Sequence, residues 1–67
     1  MKVKKVRDVI KEIEHDGWYF VRQNGSHRHY KHKIKKGLVT ISGNNLNHEI
    51  PKGTLRSIYI QAQIKED

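Results

Sequence analysis

Five histidines are the residues best suited to chemistry, and two of them, His27 and His29, stand two positions apart beside Arg22, Arg28 and Lys31. On an extended strand alternate side chains share a face, which puts this pair about 7 Å apart. That spacing straddles a phosphate. Metal-free RNA cleavage needs a base for the 2′-OH proton, an acid for the departing 5′ oxygen and a cation for the charge on the pentavalent intermediate. Histidine as a residue type serves in either proton role near neutral pH. The series His27-x-His29-x-x-His32 also invites a zinc reading. Alternation sends His32 to the opposite side, however, leaving two ligands where three or four are needed. His15 falls in the last turn of a helical segment, where an imidazolium suits the helix dipole without any ligand. His48 stands in a loop with no evident chemical role.

The charge distribution sharpens this. Of a net charge of +7, most lies in the middle: the 32 residues from Gly17 to His48 contain no Asp or Glu. They carry Arg22, Arg28, Lys31, Lys33, Lys35 and Lys36, while the other 35 residues hold eight Lys or Arg against seven acids. Scattered lysines would only solvate a surface. A segregated acid-free stretch interleaved with Trp18, Tyr19, Phe20 and Tyr30 supplies cations for phosphates and flat surfaces for bases or sugars. Trp18 and Tyr30 also suit a core. Arg22, Ser26, Arg28, His29, Lys31, Lys33, Lys35 and Lys36 are thus candidates for binding RNA or stabilising charge around His27. No cysteine is present, which removes disulfides, thiolate metal sites and a cysteine nucleophile together. No cofactor or metal is expected.

The elements that must position these side chains are short. A chain of 67 residues forms one domain, because it buries only about 60% of its unfolded surface and has nothing left for a second core. Val6, Val9, Ile10 and Ile13 recur at helical spacing, predicting a helix from about Lys4 to Asp16, stopped by Gly17. No side chain offers an N-cap, so its first turn is expected to fray. Trp18 to Gln23 reads as a strand, Asn24-Gly25 as a type I′ hairpin turn, and Ser26 to His32 as a second strand. With that turn, Arg22 faces His27 and shares a side with Phe20, His29 and Lys31; Tyr19, Val21, Arg28 and Tyr30 point the other way. A β-bulge would flip half of this. Lys33 to Gly37 reads as a basic turn and Leu38 to Ile41 as a third strand. Thr54 then caps a second helix carrying Leu55, Ile58, Tyr59 and Ala62, and the tail Lys65-Glu66-Asp67 is expected to fray. The order α-β-β-β-α implies an α+β fold: a three-stranded antiparallel sheet with both helices on one face and the other face open. The longest apolar or aromatic run, Trp18 to Val21, is four residues, too short for a membrane span or signal sequence. A soluble, untargeted cytoplasmic protein is the expectation.

These residues carry a resemblance. Gly17-Trp18, Arg22-Gln23-Asn24-Gly25-Ser26-His27 with Tyr30, Val39-Thr40-Ile41, and Glu49-Ile50-Pro51-Lys52-Gly53-Thr54-Leu55-Arg56-Ser57-Ile58 with Gln61-Ala62 resemble the HicA family of toxin mRNA interferases. The likeness runs from Val6 to Ile64 across residues 1–67, a single HicA-like domain. It implies a fold like a double-stranded-RNA-binding domain and a metal-independent endoribonuclease that inhibits translation by cleaving mRNA. It further implies that His27, in the Gly-Ser-His motif, is required for cleavage and that a HicB-type antitoxin covers the active surface. Two departures stand out: Ser42-Gly43-Asn44-Asn45 replaces a common Pro-x-His element, and Gln63 stands where a helix-ending Gly is common. Two other classes fit the residues alone. A non-catalytic RNA-binding module needs the same platform, and a protein-interaction domain would use the basic side to dock an acidic partner.

Overall fold

The computed structural model describes residues 3–65; Glu66 and Asp67 of the tail lie outside them. The elements are β1 (Lys4–Lys5), α1 (Val6–His15), β2 (Tyr19–Asn24), β3 (His27–Lys31), β4 (Val39–Ser42), β5 (Glu49–Ile50) and α2 (Lys52–Ala62). The expected order is present, with one addition. Lys4 and Lys5 do not begin the helix but pair antiparallel with Ile50 and Glu49. This small second sheet ties the chain entering α1 to the chain entering α2.

That pairing explains why α1 starts cleanly without a capping side chain. Lys5, at the N-cap, is extended and makes no side-chain cap bond. Instead the Val6 N–H donates to the His48 carbonyl at 2.9 Å and the Arg7 N–H to the Leu46 carbonyl at 3.0 Å. Two of the orphan donors of a helix start are therefore satisfied by a distant loop. His48, whose imidazole has no evident chemistry, contributes through its backbone. Thr54 is not the cap of α2 either. The helix begins earlier, with Pro51 at the N-cap position, and the Pro51 carbonyl accepts from the Leu55 N–H at 2.8 Å. At the other end Gln63 takes the left-handed conformation, φ 56° and ψ 43°, a role usually given to glycine.

The main sheet has the order β2-β3-β4, antiparallel throughout. Both helices bury their stripes against one face of it. Val9 and Ile13 of α1, Leu55 and Ile58 of α2, and Tyr30, Val39 and Ile41 of the sheet form one buried cluster with Trp18. Trp18 and Tyr30, 1% and 2% exposed, are core residues. The Trp18 indole N–H is not left orphaned, since it donates to the Ala62 carbonyl at 3.2 Å. Burial of the Tyr30 phenol raises its pKa, partly opposed by the nearby Arg28 cation.

Candidate functional site

The hairpin differs from the expected register. Asn24 pairs with His27, so the two-residue turn is Gly25-Ser26 rather than Asn24-Gly25. Gly25 alone supplies a positive φ, +57°. The Ser26 carbonyl is held from the loop after β4, accepting from the Gly43 N–H at 2.9 Å. Moving the turn by one residue shifts the partner of Arg22 by two, from His27 to His29, and a two-residue shift keeps every side chain on its face. Further along, an irregularity between Phe20 and Arg22 inserts one extra residue. That bulge flips what lies beyond it. Phe20 pairs with Tyr30 and meets it edge-on at 5.8 Å, on the helix side, while Tyr19 pairs with Lys31.

Opposed residues of an antiparallel pair share a face. The pairs Asn24–His27, Arg22–His29 and Tyr19–Lys31, continued by His27–Ser42 and His29–Thr40, therefore set out one surface on the side away from the helices. His27 is exposed and His29 half-buried. Nδ1 of His29 lies 3.1 Å from Oγ1 of Thr40. Arg22, His27, His29 and Lys31 thus come together on the open face, with Ser26 in the turn beside His27.

Three other candidates are placed elsewhere or are already engaged. Arg28 pairs with Gln23 and Ile41 and so faces the helix layer. There it joins Arg7, Lys11 and Glu14 around a cleft of about 350 Å³ floored by Ile10, Phe20, Tyr30 and Leu46. Lys35 is committed: its ammonium donates to the Asp16 carboxylate at 2.6 Å and to the Gln63 and Ala62 carbonyls at 3.0 and 3.3 Å. A cation there compensates the C-terminal ends of both helices. His32 is equally structural. Its Nδ1 accepts from the Ile34 and Lys35 N–H groups, both at 3.0 Å, so Nε2 carries the proton and donates to the Asp16 carbonyl at 2.7 Å. Its ring also meets Trp18 edge-on at 5.2 Å. Lys33 and Lys36 remain exposed in the same loop.

Among the described residues no group of three or more His, Asp or Glu is placed to hold a metal ion. None of the described helices is long and apolar enough to cross a membrane. The staple made by Lys35 and His32 is not legible in the sequence, because its acceptors, the Asp16 carboxylate and carbonyl and the Ala62 and Gln63 carbonyls, lie at the ends of two distant helices. Gly17 beside the helix end was the one local sign.

A two-layer α+β domain with an uncovered, cationic, histidine-bearing sheet face is the class that this geometry defines. Residues 6–64 match the family model described as HicA toxin of bacterial toxin-antitoxin. The chain belongs to the HicA toxin family. It is accordingly the toxin of a toxin–antitoxin system, with an antitoxin as partner. No curated protein matches it.

Proposed function

We propose that this toxin is a metal-independent endoribonuclease that cleaves mRNA in the cytoplasm, stops translation, and is neutralised by a HicB-type antitoxin covering the open face. The observation that supports this best is the placing of His27, His29, Arg22 and Lys31 on one face that neither helix covers. In the reaction the 2′ oxygen attacks the adjacent phosphorus, the P–O5′ bond breaks, and the products carry a 2′,3′-cyclic phosphate and a 5′-OH. His27 moves one of the two protons as general acid or base. Arg22 and Lys31, on the same face, offset charge on the pentavalent phosphorus. Ser26 offers a hydroxyl beside His27, and Lys33 and Lys36 extend the cationic path. Arg28 and Lys35 would act through the field rather than by contact.

The test is incubation of the toxin and a folded His27→Ala variant with a defined mRNA in excess EDTA, reading fragments and end groups. Cleavage by the wild type alone, with cyclic phosphate ends, supports the reading, and His27→Ala is expected to cost about 10² to 10⁴ in rate. RNA that stays intact yet binds both proteins would instead identify a non-catalytic RNA-binding module.

A further inference from the structure

We propose that His29 is the second proton carrier of the cleavage reaction and that Thr40 is its positioning residue; this rests on the ribonuclease reading above. Cleavage with a good rate at neutral pH needs one proton taken from the 2′-OH and one given to the 5′ oxygen. A second group must therefore share a face with His27. The other histidines do not: His15 ends α1, His32 is held on the Asp16 carbonyl, and His48 lies in the loop that caps α1. His29 is two residues along the same strand, about 7 Å away by strand rise, the separation that lets two imidazoles flank one phosphodiester.

The hydrogen bond to Thr40 is what makes this position more than a neighbour. It engages Nδ1 and leaves Nε2, the nitrogen farther from the backbone, as the reactive one. No described residue forms a hydrogen bond with Nε2. A threonine hydroxyl both donates and accepts. It can therefore accept from Nδ1–H both when the ring is an imidazolium and when Nε2 has given up its proton, which keeps the free lone pair on Nε2. The ring keeps one orientation while the proton at Nε2 comes and goes. Thr40 itself is fixed from outside the sheet: its backbone N–H donates to Gln61 Oε1 at 2.8 Å, and Gln61 Nε2 reaches Ser57 Oγ at 3.3 Å. Helix α2 thereby anchors the strand that orients His29. In the balanced step, one of His27 and His29 accepts the 2′-OH proton as the P–O2′ bond forms, and the other gives its proton to the 5′ oxygen as the P–O5′ bond breaks. The ionisable or charged neighbours on this face are Tyr19 and Arg22 from β2 and His27 and Lys31 from β3; β4 contributes only the hydroxyls of Thr40 and Ser42.

The experiment is single-turnover cleavage of an RNA oligonucleotide from about pH 5 to 9, with binding measured separately. Wild type, His29→Ala, His29→Gln, Thr40→Val and Thr40→Ser are compared after folding is checked by circular dichroism. The wild-type profile is expected to be bell-shaped. Loss of His29 should remove one limb and cost about 10² to 10⁴ in rate with RNA affinity nearly unchanged. Thr40→Val keeps the β-branched shape and should slow cleavage about tenfold at unchanged affinity, and Thr40→Ser should restore it. If His29→Ala does not fold, His29→Gln carries the same expectation. A wild type that cleaves while both His29 variants keep its rate and both limbs overturns the assignment of His29 alone. A wild type that binds but never cleaves overturns the ribonuclease reading, and this inference with it.

Discussion

A Cβ placed on Gly17 would lie 2.7 Å from Nε2 of His32. The approach is close because that nitrogen donates to the carbonyl of Asp16, the residue just before Gly17. Gly17 also has φ +108°, a conformation that side chains rarely adopt. The glycine that stops α1 is thus the floor under the imidazole that ties the basic loop to the helix end.

Gly17→Ala is therefore expected to destabilise the fold by about 1 to 3 kcal/mol, combining left-handed strain with displacement of the ring. For a domain of this size that is a fall of at least about 4 °C in Tm. Thermal unfolding followed by circular dichroism measures it, and an unchanged Tm would contradict the contact.

The loop cations should separate into two kinds. Lys35→Met removes a donor to Asp16, Ala62 and Gln63 and is expected to cost about 1 kcal/mol of stability, since the group is partly solvated. Lys33→Ala and Lys36→Ala should leave stability nearly alone. On the proposed function they should each lower the slope of log affinity against log salt by about 0.7 for single-stranded RNA. Urea titration and salt-dependent RNA binding on the same three variants test the division.

Gln63 sets two effects against each other. Its left-handed backbone is unfavourable by about 1 kcal/mol, while its side chain donates to the Lys36 carbonyl at 2.8 Å. Gln63→Gly relieves the first and loses the second, so its unfolding midpoint should move little. Gln63→Ala loses the bond and keeps the strain, and should be less stable by about 1 kcal/mol. Equal midpoints for the two variants would show that the αL cap is not formed.

Alkali should unfold the protein through three groups. Hydrogen bonds that it donates to Tyr59 and Glu12 hold the Lys4 ammonium well above the ordinary lysine range, while burial raises the phenols of Tyr59 and Tyr30. In each case the folded state keeps a proton that the unfolded chain releases. The stabilisation is complete below the ordinary values, near 10.0 for tyrosine and 10.5 for lysine, and is lost as pH rises through the folded ones. Stability should be flat in these groups from about pH 7 to 9 and fall beyond about pH 10. Tyr59→Phe should make that fall shallower, because it removes one titrating group and the main partner of Lys4; an identical fall would exclude the Lys4–Tyr59 contact at 2.8 Å.

How far the chain could be read in advance varies by element. The α1 stripe was plain because Val6, Val9 and Ile13 repeat at the helical period, and all three are buried. His27 and His29 share a face for the same kind of reason, since alternation is a property of any strand. Tyr19 and Phe20 lie on the faces opposite to those that simple alternation from Arg22 predicts. A one-residue bulge next to them leaves no local mark, and it forms where Phe20 can pack against Tyr30 and the helix layer.

By itself the sequence determined the order of elements, the apolar stripes, the acid-free basic middle and the family motifs. These depend on neighbours within a turn or a strand, where covalent spacing leaves few choices. Only the tertiary structure decided the turn at Gly25-Ser26, the cap on α1 from the Leu46 and His48 carbonyls, and the commitment of Lys35 and His32 to helix ends. The cap and the two side-chain commitments join groups far apart along the chain, and the Ser26 carbonyl of the turn is held by the distant Gly43 N–H. Backbone donors and acceptors are alike at every position, so which distant pair meets is settled only when the layers pack.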